Sequence, residues 1–168
     1  DLFQIHFFDE ATPIDETLAA LDHVVRQGKV HYIGCSNFAA WQLARSIGRS
    51  ETLGLVRYES VQPRYNLVFR DIERELLPLC RHDDVAVMVY NPLAGGLLTG
   101  KHRPEAGPTE GTRFTLGGSA SKRYQDRYWN DDKFEVVEAI RPLAAEAGMS
   151  MAQLAVSWVM ANPDVTVP

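Results

Sequence analysis

The stretch Val85–Lys101 reads VAVMVYNPLAGGLLTGK and decides the fold class. Val85 to Val89 is an apolar run without polar alternation, the pattern of a strand buried on both faces in a parallel sheet. Tyr90, Asn91 and Pro92 end it, and Gly95, Gly96, Gly100 and Lys101 follow. Glycines let a backbone approach a ligand closely, and exposed N–H groups can cradle an anion. In parallel α/β folds, ligands sit at the C-terminal ends of the strands. The stretch therefore reads either as a core strand feeding a ligand loop or as an ordinary glycine-rich turn. Its spacing matches neither the dinucleotide fingerprint nor the P-loop.

Outward from this stretch, strand and helix signals alternate. Leu2–Phe7 reads as a short strand. Thr12, Pro13 and Asp15 read as an N-cap, a first-turn proline and a capping-box partner. Ile14, Leu18, Leu21 and Val25 form a helical stripe closed by Gly28. Val30–Cys35 is a strand ending in Ser36 and Asn37, followed by a helix from about Ala39 to Ile47. On the residues alone, Ser36 and Asn37 are helix caps first and ligand contacts second. Arg57–Gln62 is a strand with Tyr58, Ser60 and Gln62 on one face. Asp71–Arg81 is a helix that Pro78 should kink. Residues 101–130 have no clear period and read as a binding loop or lid, partly helical near Ser121–Tyr128. Asp132–Ala147 is a helix ending at Gly148. Ser150 and Gln153 box the last helix, and Val165–Val167 begins a fifth strand.

This order implies an α/β fold with parallel strands alternating with helices. Two architectures fit: an open doubly wound sheet, or part of a (β/α)8 barrel, which needs roughly 250 residues. At 168 residues, 45% hydrophobic and 23% charged, the composition is that of a globular domain. A net charge of −5 without a basic stripe argues against nucleic-acid binding, and no apolar run is long enough to span a membrane. Cys35 and Cys80 read as small core residues, consistent with a cytoplasmic setting. No His or Cys spacing reads as a metal site. Both ends fall within strand-like sequence, so the expected domain, 1–168, is an incomplete barrel truncated at both ends.

Four segments then resemble the aldo-keto reductase family: Asp1–His6; Gln27–Phe38, QGKVHYIGCSNF; Gln62–Asn66, QPRYN; and Tyr90–Lys101. The resemblance covers essentially the whole chain and implies a partial (β/α)8 TIM barrel, from strand four to the start of strand eight. It implies reduction of small-molecule aldehydes or ketones with NADPH, or with NAD in its place. His6, which the residues alone would make a core histidine, becomes the donor to the substrate carbonyl. Ser36, Asn37 and Gln62 fall where the family holds the nicotinamide carboxamide, and Tyr90 where an aromatic ring stacks on it. Asn91, Leu93, Gly95 and Gly96 match the loop along the pyrophosphate, with Lys101 nearby. The family's catalytic tyrosine, lysine and aspartate match nothing here, so the isolated chain is expected to be inactive and poorly closed. Two rival expectations remain: a cofactor-binding regulatory subunit of the same fold, or a fragment without function.

Overall fold

A computed structural model describes all residues, 1–168. The chain divides into two compact units. One comprises Asp1–Arg64, Asp71–Tyr90 and Pro163–Val167, the other Tyr65–Arg70 and Asn91–Asn162.

The first unit is a parallel four-stranded sheet alternating with helices, the arrangement of part of a (β/α)8 barrel. Its elements are β1 (Leu2–Ile5), α1 (Ile14–Arg26), β2 (Tyr32–Ser36), α2 (Ala40–Leu53), β3 (Tyr58–Gln62), α3 (Leu76–His82) and β4 (Ala86–Val87). The strands lie in the order β1-β2-β3-β4. Register builds two rows across all four. Ile5, Cys35, Val61 and Val87 align in one, and Gln4, Gly34, Ser60 and Ala86 in the next. Successive strand residues face opposite ways, so the rows lie on opposite faces. The first row is apolar, and Cys35, Val61 and Val87 are at most 1% exposed. Helices α1, α2 and α3 pack on β2, β3 and β4 respectively. The second row is small or polar. A Cβ on Gly34 would collide with the Ser60 side chain, so glycine there lets the two strands keep this register.

A bulge alters the expected face of β3. Ile33 pairs with Tyr58 and Gly34 with Ser60, leaving Glu59 as an extra residue. Tyr58 therefore joins the buried apolar face, while Ser60 and Gln62 stay on the other. The strand through Val85 is also less enclosed than expected. Val85, Val87 and Val89 are buried, but Ala86, Met88 and Tyr90 are half-buried. The fifth strand shrinks to one bridge between Met88 and Val167. The N–H of Val167 bonds to the Val87 carbonyl, and the Val167 carbonyl accepts from Val89 N–H.

Three local expectations change for clear reasons. Thr12 does not cap α1, because its hydroxyl donates to Asp9 Oδ2 at 2.7 Å; Pro13 is the N-cap residue, without a side-chain bond. Asp15 makes no capping box, because its carboxylate accepts two bonds from Arg49 at 2.8 and 2.6 Å, joining α1 to α2. The helix expected over Asp71–Arg81 is two pieces: a 3-10 turn over Asp71–Glu73, then α3. Pro78 is the third residue of α3, where the N–H has no intrahelical partner, so it kinks nothing. The α1 ending holds as expected. Gly28, at φ +68°, bonds to the Val25 carbonyl and Lys29 to that of Val24, completing a Schellman motif.

The second unit contains α4 (Gly118–Tyr128), α5 (Asp131–Glu146) and α6 (Met151–Met160), with 3-10 turns over Ala94–Thr99, Pro104–Ala106 and Arg113–Thr115. Residues 101–130 thus carry more structure than a bare loop. Phe114 and Tyr128 anchor them in a cluster with Leu97, Leu98, Val137 and Ala155. The Ser150–Gln153 box forms, with Gln153 N–H donating to Ser150 Oγ at 3.2 Å and Ser150 N–H to Gln153 Oε1 at 2.8 Å. No helix is long and apolar enough to cross a membrane.

Asp22 is a buried ionisable residue without a sequence signal. It is 6% exposed, receives Arg26 Nε at 2.5 Å and accepts the Val56 N–H at 3.0 Å just before β3. Removing it strands a backbone donor. Asp22→Ala should lower stability by about 1–3 kcal/mol, read as a reduced midpoint in urea denaturation. An unchanged midpoint would show that water replaces the carboxylate.

Candidate functional site

At the C-terminal ends of β2 and β3, register sets Ser36 beside Gln62. Ser36 Oγ donates to the Gln62 carbonyl at 2.7 Å, and Asn37 N–H donates to the same carbonyl at 3.2 Å. The chain turns at Asn37 with φ +59°, a left-handed conformation that asparagine tolerates better than most residues. This turn carries the Asn37 side chain back over the strand ends. Its Nδ2 donates to the His6 carbonyl at 3.1 Å and to Ser36 Oγ at 3.0 Å. Its Oδ1 accepts from the Tyr90 hydroxyl at 2.8 Å. His6, Ser36, Asn37, Gln62 and Tyr90 therefore converge through one hydrogen-bonded hub.

The capping expectation for Ser36 and Asn37 is overturned. The N-cap of α2 is Ala39, whose N–H donates to Gln42 Oε1 at 2.8 Å. Gln42 does the work that two earlier polar residues were expected to do. Ser36 is 4% exposed and Gln62 half-buried, and the Gln62 side-chain amide makes no hydrogen bond. His6 is exposed just beyond β1, its ring 4.1 Å from that of Phe7 between centroids. Cys35, one residue before Ser36, is fully buried, and that burial pushes its thiol pKa up; Cys80 is pushed up to about 12. Neither thiol is a nucleophile near neutral pH.

In the second unit, Asn91, Leu93, Gly95 and Gly96 form one tight turn. Asn91 has φ +67°, Ala94 +50°, Gly95 +70° and Gly96 +104°. The Asn91 carbonyl accepts from Ala94 N–H, and the Leu93 carbonyl from the N–H groups of Gly96 and Leu98. Gly95 N–H donates to Asn91 Oδ1 at 2.7 Å. These amides are committed to the turn, so what the glycines supply is conformation and close approach rather than an open cradle of donors. A Cβ on Gly95 would fall 2.7 Å from the Tyr124 ring. Lys101 is exposed.

Two residues at this turn escaped the sequence reading. Asn66 is fully buried and donates to the Asn91 carbonyl at 3.0 Å and to the Tyr128 hydroxyl at 3.2 Å. Asn91 Nδ2 donates to that hydroxyl at 2.9 Å. Asn66 lies in the QPRYN segment, but Tyr128 stands far along the chain, inside a stretch legible only as an aromatic cluster.

The sequence model described as the aldo/keto reductase family matches residues 1–168. A probable voltage-gated potassium channel subunit beta of Arabidopsis thaliana is 36% identical, over 99% of this chain and 50% of its own length. Aflatoxin B1 aldehyde reductase member 2 of Rattus norvegicus is 37% identical, over 95% of this chain and 45% of its own length. Aldo-keto reductase family 7 member A3 of Homo sapiens is 35% identical, over 95% and 50% respectively. The chain spans about half the length of the curated relatives it matches.

One further buried group bears on the second unit. His102 is 2% exposed, edge-on to Phe114 and Trp129, and neither ring nitrogen has a hydrogen-bonding partner. Burial, with Lys101 as a smaller influence, lowers its pKa from the ordinary 6.5. The folded chain thus prefers the neutral ring. That contribution to stability is complete above pH 6.5 and is lost as pH falls toward the lower folded-state value. The paired carboxylates of Asp15, Asp22, Glu138 and Asp164 have pKa values lowered from about 4, so they act at more acidic pH. Thermal melts from pH 7.5 to 5 should show falling stability, and His102→Phe should flatten that slope. An unaltered slope in the variant would assign the effect elsewhere.

Proposed function

The chain belongs to the aldo/keto reductase family, and from that premise we propose that the parent polypeptide reduces aldehydes or ketones with NADPH, with NAD as the alternative cofactor. The supporting observation is the spare hydrogen-bonding capacity of the hub. Ser36 Oγ and Asn37 Oδ1 each accept one bond from the protein, and each keeps a second lone pair. The Gln62 amide is uncommitted. Two acceptors and one donor complement a primary carboxamide, which offers two N–H groups and one carbonyl. Gln62 would then donate to the carboxamide oxygen, and Ser36 and Asn37 would accept its N–H groups. By the family resemblance, Tyr90, tied to Asn37, would hold the nicotinamide ring, and Asn91, Leu93, Gly95, Gly96 and Lys101 of the second unit would serve the pyrophosphate.

When bound, the reduced nicotinamide supplies the hydride for the carbonyl carbon. His6 donates an imidazole N–H to the carbonyl oxygen, where negative charge develops in the transition state. Its backbone carbonyl is bonded to Asn37, so the residue serving the substrate and the residue serving the amide share a support. The proton for the developing alkoxide comes, in the family, from a tyrosine tuned by a lysine and an aspartate. No residue of this chain matches those three, so residues 1–168 alone do not turn over carbonyls on this reading. We assign the chain to strands four through the start of eight of the family barrel. A small or aryl aldehyde is the proposed substrate class, in line with the aldehyde reductase relatives. A cytoplasmic setting fits two free, buried thiols.

A second reading draws on the relatives named as potassium channel subunits: a regulatory subunit that binds the cofactor without rapid turnover. The same experiment separates the two. In the full-length polypeptide, NADPH oxidation with a reactive aryl aldehyde should fall about 10²-fold in His6→Ala, with NADPH affinity within a few-fold of wild type. Normal turnover with lost affinity would contradict the role given to His6. Cofactor binding without turnover in the wild type would favour the regulatory reading.

A further inference from the structure

We propose that Tyr128 is the positioning residue of the Asn91–Gly96 turn, holding Asn91 in the one amide orientation that keeps the turn closed. The inference rests on the reading that this turn receives the cofactor's pyrophosphate. An asparagine amide has nearly the same shape when its oxygen and nitrogen exchange places, so hydrogen bonds alone select its orientation. Asn91 Oδ1 accepts Gly95 N–H at 2.7 Å, and Nδ2 donates to the Tyr128 oxygen at 2.9 Å. Exchanged, the amide would set an N–H donor against the Gly95 N–H, whereas the Tyr128 hydroxyl can either accept from or donate to the amide end it meets. The Gly95 N–H, which can only donate, therefore selects the orientation, and the Tyr128 hydroxyl holds the other end of the amide in place.

The same oxygen also accepts Asn66 Nδ2 at 3.2 Å, and Asn66 Nδ2 donates to the Asn91 carbonyl at 3.0 Å. Asn66 is itself fixed, its Oδ1 accepting Val68 N–H at 3.1 Å. Asn91 is thus gripped at its side chain and at its carbonyl by two residues that share one oxygen. Asn66 is fully buried and Tyr128 is 1% exposed, so water does not readily replace a lost partner. Tyr128 is the last residue of α4, which links residues 101–130 to the turn. A ligand that tightens the turn tightens its hold on that segment, and the reverse.

The test is a fluorescence titration with NADPH of the wild-type polypeptide, Tyr128→Phe, Asn91→Ala and the double variant, with free nicotinamide titrated in parallel by NMR. Tyr128→Phe should weaken NADPH affinity roughly ten-fold and leave the nicotinamide response unchanged. The double variant should be no weaker than Asn91→Ala. Tyr124→Phe, on the same helix, should bind like wild type. A role in general stability would weaken both ligands and give additive losses, overturning the proposal. If wild type binds NADPH and Tyr128→Phe binds equally, the proposal falls while the cofactor reading stands. If wild type does not bind NADPH, the cofactor reading falls and takes this proposal with it. Should Tyr128→Phe not fold, Asn91→Ala removes the same bond from the half-buried end, and wild-type affinity there overturns the proposal.

Discussion

The candidate site depends on the parallel register of β1, β2 and β3. Once Gln4, Gly34 and Ser60 align across the sheet, Ser36 and Gln62 must lie side by side two residues further on. That alignment needs Gly34, because any side chain there would meet Ser60. It also needs the bulge at Glu59, which restores the polar phase of β3 after Tyr58 has been used for the core. Covering of the opposite face by α1, α2 and α3 holds the register, because a one-residue slip would turn Cys35 and Val61 away from the helices.

On this frame Asn37 works as a hub. Its left-handed backbone points the side chain back over the strand ends, and its three bonds reach three segments of chain at His6, Ser36 and Tyr90. Bonds of this kind are individually worth about 1 kcal/mol. Together they fix directions: each acceptor left over is aimed by the bond already made. On the proposed reading, that aim recognises the nicotinamide amide. The Asn91 turn follows the same logic in the second unit, where an asparagine at positive φ accepts a glycine N–H and donates to a tyrosine hydroxyl.

Much of the fold was legible because its signals are local. Gly28 and Gly148 close their helices at positive φ, and Ser150 and Gln153 form the expected box. The strand-end residues were legible only through the family resemblance, since Ser36 and Asn37 look like caps until Gln42 is seen capping α2. What stayed hidden involves competition or distance. Thr12 was an N-cap by type, but Asp9 took its hydroxyl. Pro78 looked like a kink because the break before Leu76 has no residue signature. Glu59 bulges without a glycine to mark it. Asn66 and Tyr128 are 62 residues apart, and no periodicity connects them.

The central claim is that the ends of β2 and β3 recognise a primary carboxamide. The most direct measurement records the side-chain amide resonances of Asn37 and Gln62 by 15N NMR during titration with nicotinamide, and separately with nicotinic acid. The account predicts that nicotinamide shifts both resonances. Nicotinic acid should leave them in place, since its carboxylate offers no N–H to Ser36 or Asn37. Equal responses to the two compounds, or shifts confined to other residues, would contradict it.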